Sequence, residues 1–106
     1  MLDFIETIPL ARLRAGRAMV VRVAGVEVAL FNVDGTVYAT RDACAHAGAS
    51  LGSSKLRGNI VICRAHGFRY DVTSGQCVNI EGLRVATFPT KVVDGKILVA
   101  LGERSG

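Results

Sequence analysis

Two short segments, CAHAG at residues 44–48 and CRAHG at residues 63–67, decide how this sequence is interpreted. The chain has three cysteines and only two histidines, and each histidine lies two or three positions after a cysteine in one of these segments. Free cysteines are often simply buried and histidines scattered, but such pairing is more typical of metal ligands. Thiolate and imidazole groups together suit zinc or an iron–sulfur cluster.

The order of the four candidate ligands separates these two metals. Zinc fingers usually supply two cysteines from one segment and two histidines from another, whereas each segment here supplies one of each. If the two segments lie side by side, their cysteines can hold one iron and their histidines the other, as in a Rieske [2Fe-2S] centre. The candidate ligands are Cys44, His46, Cys63 and His66, and zinc stays the alternative metal.

The rest of the sequence predicts an all-β fold with antiparallel strands. Apolar runs rich in β-branched residues, such as AMVVRV and VEVALFNV, are separated by two-residue turn signals. Short strands joined in this way predict a β-sandwich or barrel. The expected turns are Ala24-Gly25, Asp34-Gly35, Ser74-Gly75 and Asp94-Gly95, and the only helical hint, Leu10–Arg14, is too short to count on.

The length of 106 residues is that of one domain, which we expect to span residues 1–106. The stretch 42–58 is small, glycine-rich and aperiodic, so we expect a functional loop there. The candidate ligands place the two metal-binding loops within about residues 42–71, inserted in the β base.

Charge and hydropathy narrow the classes of partner. The formal net charge is +4, but the arginines are spread along the chain and aromatic residues make up only 6%, so no nucleic-acid interface is expected. No apolar run is long enough to span a membrane. The start, MLDFIETIPL, lacks the pattern of a signal segment, and the odd cysteine count argues against a disulfide framework, so we expect a cytoplasmic protein.

Over nearly its whole length the chain resembles the small Rieske-type ferredoxins that serve bacterial ring-hydroxylating oxygenases. The resemblance lies in the two Cys/His segments, in HGFRYDVTSGQ at 66–76 and in TFPTKVVDGKILVAL at 87–101. It implies a Rieske iron–sulfur domain with one 2Fe-2S cluster bound by Cys44, His46, Cys63 and His66. It also implies a one-electron carrier in aromatic compound degradation, with a ferredoxin reductase and a terminal oxygenase as partners.

Several positions depart from the high-potential members of that family. The disulfide that joins their two loops has no counterpart, because Ala49 and Ala65 stand at the matching positions. Phe68 replaces a serine that lies near the cluster in those proteins, and Arg64 replaces the proline that most relatives of either kind carry after the second cysteine. Tyr70 matches a tyrosine whose hydroxyl reaches a ligand sulfur. With fewer donors near the sulfurs, we expect a potential near the lower end of the Rieske range, about −150 mV.

We expect no enzymatic activity of the chain itself. Rieske oxygenases need a second iron held by two histidines and a carboxylate, and both histidines of this chain are already assigned. A zinc-binding interaction module, or an accessory subunit of another redox system such as nitrite reductase, stays an alternative. We expect a monomer whose partners dock on small or apolar residues near the histidines, with an acidic partner face if the nearby arginines surround them. These residues are Ala45, Ala47, Ala65, Gly67 and Phe68, with Arg41, Arg64 and Arg69 around them.

Overall fold

A computed structural model describes residues 2–44, 48–65 and 67–103 of the chain. Strands dominate this part of the chain, joined by turns and a single 3-10 helix at Leu10–Arg12. The strands are β1 (Leu2–Pro9), β2 (Ala18–Val23), β3 (Val26–Val33), β4 (Thr36–Arg41), β5 (Lys55–Arg57), β6 (Ile60–Ile62), β7 (Arg69–Asp71), β8 (Thr87–Phe88), β9 (Thr90–Val93) and β10 (Lys96–Glu103). Among the described residues, no helix has the length and apolar character needed to cross a membrane.

The strands form three antiparallel sheets, which confirms the all-β prediction. Their strand orders are β1-β10-β9, β2-β3-β4-β8 and β5-β6-β7. Three hairpins close at the predicted turns, and in each turn both central residues have positive φ, as type I′ turns require. Those turns are Ala24-Gly25, Asp34-Gly35 and Asp94-Gly95.

The prediction of one long loop over residues 42–58 is wrong at its C-terminal end. Lys55–Arg57 forms β5, which pairs with β6 across the turn at Gly58 and Asn59. A strand of three residues with one inward side chain, Leu56, is too short for its alternation to stand out in the sequence. The described residues between β4 and β5 form bends, turns and one isolated bridge between Ala43 and Ser50, as expected of a loop.

Two apolar cores lie on opposite faces of the middle sheet, β2-β3-β4-β8. Successive side chains of β3 alternate between them, so Val28 and Leu30 join one core while Ala29 and Phe31 join the other. We call the first the base core; it includes Leu13, Val23, Val37, Ile97 and Val99. We call the second the loop core; it includes Cys44, Leu51, Val61, Cys63, Tyr70, Val72, Cys77 and Val85.

Burial of β3 on both faces explains why VEVALFNV contains so many apolar residues in succession. It also ties the two Cys/His segments to the base, because Cys44 and Cys63 pack into the same core as Ala29 and Phe31. The middle sheet is thus the surface against which both segments pack.

Candidate metal centre

The first Cys/His segment is a tight loop closed by two backbone hydrogen bonds. The N–H of Cys44 donates to the carbonyl of Ala49 at 2.8 Å, and the N–H of Gly48 donates to the carbonyl of Cys44 at 2.8 Å. Gly48 has φ +72°, a left-handed conformation that glycine adopts without steric cost. The cysteine therefore lies at the first position of a six-residue loop and the glycine at the fifth.

The second segment has the same backbone arrangement. The N–H of Cys63 donates to the carbonyl of Phe68 at 2.7 Å, and the N–H of Gly67 donates to the carbonyl of Cys63 at 2.9 Å. Gly67 has φ +71°, nearly the value of the glycine in the first loop. Residues 44–49 and 63–68 are thus of equal length and are closed by the same two hydrogen bonds, and in this sense we call them equivalent loops.

Because the two loops have equal length, the unequal Cys-x-His and Cys-x-x-His spacings put the two histidines at different positions of their loops. In loops of equal length, His46 takes the third position of the first loop and His66 the fourth position of the second. Both histidines lie outside the described residues, as do Ala45 and Ala47. Among the residues that are described, no group of three or more His, Cys, Asp or Glu side chains could hold a metal ion.

The two cysteines fit the thiolate half of the predicted ligand set. Cys44 and Cys63 are 3% and 1% exposed, and both belong to the loop core. Each starts one of the two equivalent loops, and neither forms a disulfide. Soft sulfur ligands placed in a dry apolar core suit an iron–sulfur cluster.

Tyr70 and Cys44, both singled out from the sequence, are in contact in the structure. The Tyr70 hydroxyl lies 3.1 Å from the Cys44 Sγ, and the tyrosine is completely buried. Tyr70 is the central residue of β7, the strand that follows the second loop, so this contact links the first loop to that strand. When the sulfur is a thiolate, the hydroxyl is the donor.

The described residues of the second loop present a mixed surface. Arg64, Ala65 and Gly67 are exposed, whereas Phe68 is half-buried and packs against the loop core. The Arg64 Nη1 donates to the Ser53 Oγ at 3.4 Å, which joins this loop to the chain after the first one. The end of this loop thus has small exposed groups with one cation beside them.

Sequence reasoning did not identify Asp42, which braces the first loop. Its Oδ1 accepts hydrogen bonds from the Ser50 hydroxyl at 2.9 Å and from the Gly52 N–H at 2.7 Å. Its carbonyl accepts from the Leu51 N–H at 2.6 Å. The carboxylate therefore joins the two ends of the first loop. An acid shortly before a cysteine, with Ser and Gly eight and ten residues later, is too common a pattern to predict this role.

A third segment lies beside β7 and carries the remaining cysteine. Cys77 forms an antiparallel bridge with Tyr70 and is 8% exposed in the loop core, which confirms the prediction of a small buried residue. The next residue, Val78, donates its N–H to the Arg69 carbonyl at 2.7 Å. The Asn79 Oδ1 accepts from the Arg69 N–H at 2.6 Å. This segment therefore pairs along the free edge of β7 and extends the small sheet β5-β6-β7.

Comparison with known proteins agrees with this geometry. Residues 4–89 match the family model of the Rieske [2Fe-2S] domain. The ferredoxin component of the naphthalene 1,2-dioxygenase system of Pseudomonas putida is 31% identical over 100 residues, which cover 92% of this chain and 95% of that protein.

Solved structures give the same result. The ferredoxin of carbazole 1,9a-dioxygenase from Nocardioides aromaticivorans IC177 superposes with a TM-score of 0.86 at 28% identity, covering 92% of this chain and 97% of that one. A chain in a complex of reduced oxygenase and oxidized ferredoxin of carbazole 1,9a-dioxygenase has a TM-score of 0.86 at 25% identity and full coverage of both chains.

These matches confirm the fold predicted from the sequence and favour a 2Fe-2S cluster over zinc as the bound group. They also agree with the prediction of an electron-transfer component rather than an enzyme, since the relatives are named as ferredoxins. The chain belongs to the Rieske [2Fe-2S] domain family.

Proposed function

We propose that this chain carries single electrons from a reductase to the terminal oxygenase of a ring-hydroxylating system that degrades aromatic compounds. The observation that carries the proposal is the likeness, over nearly the whole of both chains, to a protein named as the ferredoxin component of a dioxygenase system. The solved chain with full coverage comes from a complex of an oxygenase with a ferredoxin. The chain acts in this system as an electron-transfer component.

The cluster ligands are Cys44 and Cys63 on one iron and His46 and His66 on the other. What supports this assignment is that the two loops share one hydrogen-bond pattern and that both sulfurs lie in the loop core. When bound, the cluster accepts and returns one electron. Burial of both cysteines keeps water away from the sulfurs. With Cys44 bound as a thiolate, the Tyr70 hydroxyl beside it would donate to the sulfur and so stabilise added negative charge.

The end of the molecule near the two histidines is where a partner approaches. Arg64, Ala65 and Gly67 are exposed there, and small side chains let the cofactor of a partner come close. We call these three exposed residues the tip; Ala45 and Ala47, outside the described residues, are the small neighbours of His46 in the sequence. The same proposal includes a monomeric single domain over residues 1–106 that works in the cytoplasm, where soluble redox partners are available.

Substitution of the cysteines tests the ligand assignment with an internal control. Cys44→Ala or Cys63→Ala removes a proposed iron ligand, so bound iron, inorganic sulfide and visible absorbance are expected to be lost. Cys77→Ala removes a sulfur from the same core without touching the ligand set, and the protein is expected to keep its cluster. Full cluster content in both ligand variants would contradict the assignment.

Reconstitution tests the electron-carrier role. The purified reductase and oxygenase of the same system are mixed with NADH or NADPH and the aromatic substrate, with and without the loaded chain. Hydroxylated product is expected only in the complete mixture, at a rate that rises with the concentration of the chain. Equal product formation without the chain would contradict the proposed function. If the chain is reduced by the reductase but never reoxidised by the oxygenase, it serves another redox system.

A further inference from the structure

One face of the sheet β5-β6-β7 points away from the loop core. We call it the outer face. The register aligns Lys55 with Ile62 and Ile62 with Arg69. The bridge between Tyr70 and Cys77, with the hydrogen bond from Val78 to Arg69, continues this alignment to Val78. These four paired residues form one row across the sheet. Side chains alternate along a strand, and since the neighbouring Tyr70 points into the loop core, this row points outward.

A second row lies beside the first on the same face. It contains Arg57, Ile60 and Asp71, and it ends at Gln76, whose carbonyl accepts from the Asp71 N–H at 2.9 Å. The outer face therefore combines two cations from β5, one from β7 and several apolar side chains.

The cations of the outer face are available to a partner. Lys55, Arg57 and Arg69 are exposed, and in the described part of the chain no carboxylate forms an ion pair with them. Asp71 is the acidic residue of the two rows, and its Oδ1 accepts from both the hydroxyl and the N–H of Thr73. Burial raises the pKa of this carboxyl, but these hydrogen bonds and one from Asn59 outweigh it and hold the pKa below its ordinary value of 3.8. The carboxylate is thus bound to its own turn, and the face is basic overall.

The centre of the outer face is apolar. Ile60 and Ile62 are half-buried and line an open depression of about 480 Å³, together with the side chains of the three cations. At the edge of the face next to Arg69, Val78 is 61% exposed, the largest exposure among the large apolar side chains of the described residues. A partly exposed apolar centre with a charged rim is typical of a protein interaction surface.

This face adjoins the second Cys/His loop directly. Ile62 is followed at once by Cys63, and Arg69 comes directly after Phe68, the last residue of the loop. The row that contains Ile62 and Arg69 is therefore the one nearest to the proposed cluster. A protein seated on the outer face would contact the tip at the same time.

We infer that the outer face is the docking surface for the terminal oxygenase, which offers it carboxylates around an apolar centre. The inference rests on the function proposed above. Opposite charges steer encounter, and apolar contact adds affinity. A second copy of the chain is not the occupant we infer, because face-to-face docking would bring the three cations of one copy against those of the other. The oxygenase is chosen over the reductase because the solved chain that matches over the full length comes from a complex with an oxygenase.

The experiment measures electron transfer from the reduced, loaded chain to its oxygenase by stopped-flow absorbance at several ionic strengths. The charge variant is Lys55→Glu/Arg57→Glu. Its control is Arg12→Glu/Arg14→Glu, which alters two exposed residues at and just after the 3-10 helix. Each replacement lowers the formal charge by two units, so both variants have a formal net charge of 0 instead of +4.

The charge variant is expected to lower the second-order rate constant about tenfold at low salt. The difference should shrink as the Debye length falls from about 30 Å at 0.01 M to about 10 Å at 0.1 M. The control should stay within about twofold of the unaltered protein, since its charges lie on the base. Equal slowing by both variants would overturn the inference, because net charge alone would then explain the effect.

The apolar part of the outer face has its own pair of variants, at its most exposed side chain, Val78. Val78→Ser should slow transfer to the oxygenase about threefold or more, whereas Val92→Ser, at a 42% exposed valine of β9, should not. If the outer-face variants slowed reduction of the chain by the reductase but did not slow electron transfer to the oxygenase, the choice of partner would be overturned. If the unaltered protein reduces the oxygenase and all variants do so at the same rate, the assignment of the docking surface is overturned. Failure of the unaltered protein to do so would instead contradict the proposed function.

Discussion

Tyr70→Phe removes a single hydroxyl from the loop core. That hydroxyl lies 3.1 Å from the Cys44 sulfur, on a side chain that is completely buried, so water does not replace it when it is removed. The ring stays, and the shape of the core is kept. The substitution therefore isolates the effect of one hydrogen bond on a proposed cluster ligand.

The expected effect is a lower reduction potential. A hydrogen bond to a charged group contributes about 1.5–3 kcal/mol, and the sulfur accepts it in both oxidation states. If somewhat under half of this energy appears only after the electron is added, the reduced state loses about 1 kcal/mol. For transfer of one electron, where a tenfold change in the equilibrium constant is 59 mV, this corresponds to a fall of about 40 mV.

Redox titration followed by visible absorbance or EPR measures this change. Tyr38→Phe is the matched control, because Tyr38 also packs against the loop core and makes no hydrogen bond to a described cysteine. The control should shift the potential by less than about 10 mV. A Tyr70→Phe potential equal to that of the unaltered protein, or higher, would refute the reasoning, provided that iron and sulfide content are unchanged.

Two stability predictions concern the residues that hold the loops in place. Asp42→Ala should lower the free energy of unfolding by about 2–3 kcal/mol in denaturant titrations, because the Ser50 hydroxyl and a backbone N–H lose their acceptor; Asp42→Asn, which keeps an acceptor oxygen, should lose less. Gly75→Ala should lower it by about 2–4 kcal/mol, because φ is +83° and the new Cβ would collide with the Val85 carbonyl oxygen. Gly82→Ala, with φ +86° and open space around it, should cost only about 1–2 kcal/mol, and equal losses at both glycines would contradict the collision.

The sequence predicted those parts of the fold that depend on local chemistry. A residue pair such as Asp34-Gly35 between two β-rich runs specifies a type I′ hairpin by itself, since both positions need positive φ. The candidate ligands could also be selected from the sequence, because metal binding requires particular residue types, and here they lie close together in the chain.

Features that depend on tertiary pairing were not predictable. The strand Lys55–Arg57 is defined by its partner β6, and its three residues have no pattern of their own. The role of Asp42 depends on how the chain returns to it at Ser50 and Gly52. Val78 lies on the outer face because it pairs with Arg69. The residues around Val78 in sequence are mostly polar or in turns, so they do not indicate this pairing.

The central claim is that the two equivalent loops hold a 2Fe-2S cluster that carries one electron. Chemical analysis of the purified chain, combined with EPR spectroscopy after reduction by dithionite, tests it most directly. We expect two irons and two inorganic sulfides per chain, a red-brown colour and an EPR signal that appears on uptake of one electron and changes in His46→Cys or His66→Cys. Stoichiometric zinc in a colourless protein without an EPR signal would contradict the account.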